Sequence, residues 1–196
     1  TMHDPAGSQS HADRDSKVGG FLVAIDHALE QVVSIDDDRA IRALLSLFRE
    51  TLRTNFYQRD EDGNPRSWIA FKLNSSAIEE LPLPRPKREI FVYSPRVEAV
   101  HLRGGLVARG GIRWSDRRDD FRTEILGLMK AQMVKNAVIV PVGAKGGFVL
   151  KQAPETGGRD ALQAEGIACY KILVRALLEI TDNIVDGKVV PPEQVI

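Results

Sequence analysis

Three short stretches between residues 109 and 148 hold residue types and spacings that could do chemistry. The first is Arg109-Gly110-Gly111-Ile112-Arg113-Trp114. Paired glycines let a ligand approach the backbone, and an adjacent guanidinium can hold a carboxylate through two parallel hydrogen bonds. The second is Lys130-Ala131-Gln132-Met133-Val134-Lys135-Asn136. Gln132 and Lys135 are spaced to share one helix face, so an amide and an ammonium would point the same way, a pairing suited to a carboxylate. The third is Pro141-Val142-Gly143-Ala144-Lys145-Gly146-Gly147-Phe148, a lysine set among glycines. Taken singly, each has an ordinary explanation: a turn with surface arginines, a solvated lysine near a helix C-terminus where cations are favoured, or a glycine-rich loop. None of the glycine clusters has the spacing of a P-loop or of the dinucleotide-binding G-x-G-x-x-G fingerprint.

The elements that must position these residues follow from periodicity. A short helix is expected over Phe21–Val33. A second begins at the Asp36-Asp37-Asp38 run and continues to about Thr54, with Ile41, Leu44, Leu45, Phe48 and Leu52 predicting a buried face. Strands are expected at 68–73, 89–93 and 97–102, with the Pro82-Leu83-Pro84-Arg85-Pro86 stretch as a stiff connection. Residues 119–134 read as a helix and Ala137–Val140 as a short buried strand, with Lys145 in the loop that follows it. A last helix spans about 159–181. Strands interleaved with helices make the fold class α/β, a mixed sheet flanked by helices. Residues 1–19 are polar and read as a mobile segment, with 20–196 forming one domain.

Composition narrows the function classes. The chain has 196 residues, 43% hydrophobic and 28% charged, with 27 basic and 27 acidic side chains. That balance speaks against a general nucleic-acid binder while leaving room for a local basic pocket. There is one cysteine, Cys169, in the apolar pattern of the last helix, where a buried structural thiol is the expectation. A single cysteine and a polar start without a signal-peptide core point to a reducing compartment, read as cytoplasmic. No apolar run approaches a membrane span, and His3 and His11 are too poorly spaced to read as metal ligands, so no membrane and no metal are expected.

Taken in order, Arg-Gly-Gly-Ile-Arg, Gln-x-x-Lys-Asn and Pro-x-Gly-Ala-Lys-Gly-Gly resemble the substrate domain of glutamate dehydrogenases. That family shows Lys-Gly-Gly-x-Arg, Gln-x-x-Lys and Pro-x-Gly-Gly-x-Lys-Gly-Gly in the same order. The wording of residues 105–150, including Gly111-Ile112-Arg113-Trp114-Ser115-Asp116-Arg117-Arg118, is similar to the large NAD-specific bacterial class. The resemblance implies roles. Arg109, beside Gly110, would hold the side-chain carboxylate of L-glutamate. Lys135, helped by Gln132, would hold the α-carboxylate, and Lys145 would be the catalytic lysine. It further implies oxidative deamination to 2-oxoglutarate with NAD as cofactor, a role in amino-acid catabolism and a homo-oligomeric full-length enzyme. On this reading the chain is a fragment lacking the Rossmann domain. The NAD-binding residues and the proton-shuttling aspartate would lie beyond it, and the isolated piece would be inactive. Two departures stand out: arginine replaces lysine at 109, and the Lys135–Lys145 link is about two residues shorter than usual. Arginine and lysine are not interchangeable as carboxylate anchors.

Three alternatives stay open on the residues alone. One is a non-catalytic anion-binding module. Another is an assembly domain. The third is a dehydrogenase for a neutral amino acid, which would have no need of a cation at 109.

Overall fold

The strands that carry the site are held in a seven-stranded mixed sheet with one helix packed on each face. A computed structural model describes residues 11–135 and 141–195, with the side chains of residues 11–15 and Lys135 outside the description. The strand expected over Ala137–Val140 also lies outside the described residues. The chain divides into two compact units, one ending at Arg49 and the other spanning Glu50–Val195.

The first unit holds helices α1 (His11–Leu29) and α2 (Ile35–Arg49). Helix α1 begins ten residues earlier than the pattern over 21–33 indicates. Ser34 caps α2, its Oγ accepting from the Asp37 amide at 3.2 Å. Asp36, Asp37 and Asp38 fill the first turn, where carboxylates suit the helix dipole. Asp38 also pairs with Arg42 one turn on at 2.9 Å. The expectation of a buried face on α2 is not met: none of its residues is buried. The helix also stops at Arg49 rather than near Thr54, because Thr51–Thr54 joins the sheet as β1.

In the second unit the sheet runs β1, β2 (Ile69–Leu73), β3 (Arg88–Tyr93), β4 (Val97–Arg103) and β7 (Val142–Leu150). The short strands β5 (Ala108–Arg109) and β6 (Ile112–Trp114) both lie along the far side of β7. Neighbours from β1 to β7 are antiparallel, whereas β5 and β6 run parallel to β7. The strands expected at 68–73, 89–93 and 97–102 thus form within one residue of the pattern. Their alternation assigns each residue to one of two faces.

On one face Ala70, Ile90, Val92, Val97, Ala99, Phe148 and Leu150 pack against Cys169, Ile172, Leu173, Ala176 and Ile180 of helix α4 (Gly158–Glu179) and its end. On the other, Val100, Leu102 and Val149 pack against Phe121, Ile125, Leu126 and Met129 of helix α3 (Phe121–Lys135). Buried Glu89 on the α3 face is held by both arms of Arg122, at 2.8 and 2.6 Å. Past α4 the chain turns through an exposed hairpin, β8 (Asn183–Val185) and β9 (Lys188–Val190), that the sequence reading missed. Asp186 and Gly187 both adopt positive φ at its turn, which suits a two-residue hairpin loop.

Candidate functional site

Lys145 does not lie in a loop. It is the fourth residue of β7, a strand hydrogen-bonded on both sides. Glycines are poor strand formers, and the Gly143-to-Gly147 run therefore reads as loop. Contact with α3 explains why glycine stands here. A β-carbon at Gly143 would fall 2.8 Å from both Cβ of Gln132 and the Met133 amide, and one at Gly147 would fall 2.2 Å from Ile125 Cδ1. The helix therefore rests on bare backbone on either side of Lys145. By strand alternation Lys145 projects to that same face, half-buried, opposite Leu102 of the α3 core.

Arg109 reaches this face by a different route. In parallel strands, paired residues present their side chains on the same side of the sheet, and Arg109 pairs with Gly143. Arg113 pairs with Gly147 and so shares the face. Strands β5 and β6 keep the same offset to β7, so Gly110 and Gly111 take the place of two strand residues alongside Ala144 and Lys145, where pairing lapses. The junction stays anchored by Gly146 N donating to Gly111 O at 3.0 Å. Arg109 is exposed beside it.

Gln132 closes the constellation from above. Its side-chain oxygen would be 3.0 Å from a β-carbon at Gly110. That Oε1 is buried and accepts no hydrogen bond among the described residues. A buried acceptor without a donor costs about 1–3 kcal/mol, so this atom is one a ligand or water would satisfy. Lys135 ends the same helix one turn on, and its side chain lies outside the described residues. Arg113, the other arginine on this face, is already engaged: its Nε lies 2.6 Å from Glu124 Oε1, and Ser115 donates to Glu124 Oε2 at 2.6 Å. Arg109 therefore remains the guanidinium of this motif without an ion-pair partner among the described residues.

The sequence reading missed the wall of the site. Arg103 Nη2 donates to Leu106 O at 2.7 Å, folding the 104–107 loop back. Gly104 admits Met133, whose sulfur would lie 2.7 Å from a β-carbon there. Leu106 and Val107 remain exposed beside Arg109. The Gly104-Gly105 pair was the one signal of this turn in the sequence. A groove of about 310 Å³ lined by Ile112, Trp114, Phe148, Gly166 and Tyr170 lies on the α4 face, away from Lys145.

Gly110, Gly143 and Gly147 are filled by Ala144, Gln132 and Ile125 of this same chain. Among the described residues no group of His, Cys, Asp and Glu is placed to hold a metal, and no helix is long and apolar enough to cross a membrane.

Comparison with known proteins adds to this geometry. The family model described as bacterial NAD-glutamate dehydrogenase, catalytic domain, matches residues 24–196. The chain is 63% identical over 184 residues to the NAD-specific glutamate dehydrogenase of Pseudomonas aeruginosa, covering 94% of this chain and 11% of that protein. It is 56% identical to the proteins of the same name from Halomonas elongata and Mycobacterium tuberculosis, over 98% of this chain and 12% of each relative. The chain thus spans about a ninth of the length of the relatives it matches.

Proposed function

We propose, since this chain belongs to the family of the bacterial NAD-glutamate dehydrogenase catalytic domain, that it carries the glutamate-binding half of an oxidative deamination site with Lys145 as the catalytic lysine. The observation that carries the reading is the shared face. Arg109 and Lys145 come from two adjacent parallel strands and project to the same side of the sheet, beneath a helix that offers a Gln132 oxygen with no partner among the described residues.

On this reading Arg109 pairs with the side-chain carboxylate of L-glutamate. Lys135, together with the Gln132 amide, holds the α-carboxylate. Two cationic anchors fix a dicarboxylate at both ends and leave the α-carbon over Lys145. Lys145 then handles the proton of the water that adds at that carbon as ammonia leaves and 2-oxoglutarate forms. NAD supplies the oxidising half of the chemistry. No glycine cluster of this chain has the dinucleotide-binding spacing, and on this reading the nucleotide is assigned to another part of the longer protein.

The test is steady-state kinetics on the full-length enzyme carrying Lys145→Ala. A residue acting mainly in the transition state lowers kcat far more than it raises KM for glutamate. If kcat stays within about threefold and only KM rises, Lys145 is a binding residue and this mechanism is abandoned. An assembly or purely anion-binding role would leave kcat untouched by the substitution.

A further inference from the structure

The opposite face of the same sheet carries a second cluster of cations that the glutamate reading does not use. Strand register places Arg53, Lys72, Ile90, His101 and Gly146 in one row across β1, β2, β3, β4 and β7. The next row holds Arg88 directly opposite Arg103, with Ala144 beyond. All lie on the α4 side, since Ile90 belongs to the α4 core and neighbours in these rows share its face. Lys72, Arg88, His101 and Arg103 are each half-buried.

Their charges are poorly matched. Arg53 is neutralised by Asp182, 2.7 Å away, and also donates to Ile180 O. Among the described residues Arg88 finds neutral acceptors, the Asn74 amide oxygen and the Lys87 carbonyl, both at 2.7 Å. Arg103 donates to the Leu106 carbonyl, and its buried Nε has no acceptor among the described residues. Lys72 has no ion-pair partner among the described residues. Burial first, then the neighbouring Arg53 and Arg103, push the Lys72 ammonium below its usual range, and the Asp182 carboxylate opposes this only in part. Like charges directly opposite in a sheet are destabilising, and half-burial sharpens the repulsion.

We infer that this shelf is an anion site for a phosphate-class dianion, free or carried on a small metabolite, held by Lys72, Arg88 and Arg103. At the β7 end of these rows the space over Gly146 is taken by Ile112 and His101, so the open part of the shelf is the part over Lys72, Arg88 and Arg103. Two guanidiniums opposite one another can each offer paired donors to phosphate oxygens, while Lys72 adds a point charge. The buried Arg103 Nε gains the acceptor it lacks. The site stands on the other side of the sheet from Lys145, sharing with the glutamate site only Arg103, which also holds the 104–107 loop.

The experiment uses the full-length protein with inorganic phosphate and, separately, glycerol phosphate. Affinity is measured by calorimetry, and thermal stability is compared with chloride of equal ionic strength. Wild type is expected to bind at least one of the two anions and to be stabilised beyond the chloride control. The arm that binds more tightly identifies whether the dianion is free or esterified. Lys72→Gln and Arg103→Gln should each weaken binding about tenfold or more, the loss of one charge-assisted contact. Arg109→Ala, on the opposite face, should bind as wild type does. At low salt without phosphate, Lys72→Gln should be at least as stable as wild type, because it relieves repulsion. Equal effects of phosphate and chloride would mean screening alone and would overturn the proposal. So would unchanged affinity in both variants, or a destabilised Lys72→Gln with no anion binding, which would show an acidic segment of the longer protein already seated there.

Discussion

Gly110 and Ala144 touch through their backbones: a β-carbon at Gly110 would stand 1.6 Å from the Ala144 carbonyl oxygen. That contact sets the distance between the edge strand bearing Arg109 and the strand bearing Lys145. Gly110→Ala must push the two apart. Overpacking costs about 1–3 kcal/mol where side chains can yield, and here the obstacle is backbone. The variant is expected to lose at least that much stability and most of its glutamate activity. Gly111→Ala, whose β-carbon meets nothing within 4 Å, should cost far less. Denaturant midpoints of the two variants make the comparison, and equal losses would mean that the contact is not what constrains the junction.

Arg109→Ala in the full-length enzyme should raise KM for glutamate strongly and narrow its preference over norvaline. Removing one partner of a charge-assisted pair that bound substrate takes out of water costs about 2–5 kcal/mol. An unchanged preference would move the side-chain anchor elsewhere. Arg113 is poorly placed to inherit it while Glu124 holds its guanidinium.

The Glu89–Arg122 pair ties α3 to the sheet. Glu89 is buried and Arg122 largely so, with side-chain exposures of 4% and 24%. Arg122→Met leaves a buried carboxylate unpaired and should cost about 3–5 kcal/mol. Adding Glu89→Leu should recover most of that loss, because the apolar pair no longer carries an unmatched charge. Chemical denaturation of the single and double variants reads both steps.

Burial, reinforced by Arg103, holds the His101 imidazole below its ordinary value of 6.5. The folded state therefore binds fewer protons than the unfolded chain in this range. The contribution is complete above pH 6.5 and is lost as pH falls from there through the lowered folded value. One group limits the slope to about 1.4 kcal/mol per pH unit. His101→Gln should flatten the fall in melting temperature below pH 6.5 and change little at pH 8. Parallel curves for the two proteins would remove His101 as the source.

Cys169 is fully buried, with Sγ 3.3 Å from Glu165 Oε1, and burial first, then Glu165, pushes its thiol up to about 12. The thiolate is the reactive form, so the native protein should resist alkylation at neutral pH and react only on unfolding. Rapid labelling without loss of structure would contradict this burial.

The order of the three glycine-and-cation motifs, the existence of helix α3 and the alternation of β2, β3 and β4 were all legible in the sequence. Each rests on local periodicity or local residue chemistry, and the resemblance to glutamate dehydrogenases rested on the same motifs. Cys169 was legible too, because a lone thiol within an apolar helical pattern has few other places to be. What the chain could not show by itself was which residues face one another across strands. Lys145 reads as a loop residue until α3 is laid on Gly143 and Gly147, since the reason for glycine there is a helix distant in sequence. Arg109 reads as a turn arginine until β5 is paired with β7, whose register puts both cations on one face. Thr51–Thr54 reads as the end of α2 until β2 offers it a partner strand. The Arg88–Arg103 opposition has no trace in local pattern at all. Cross-strand neighbours are set by sheet register, which forms only when distant segments pair, and that decided both the candidate glutamate site and the cationic shelf behind it.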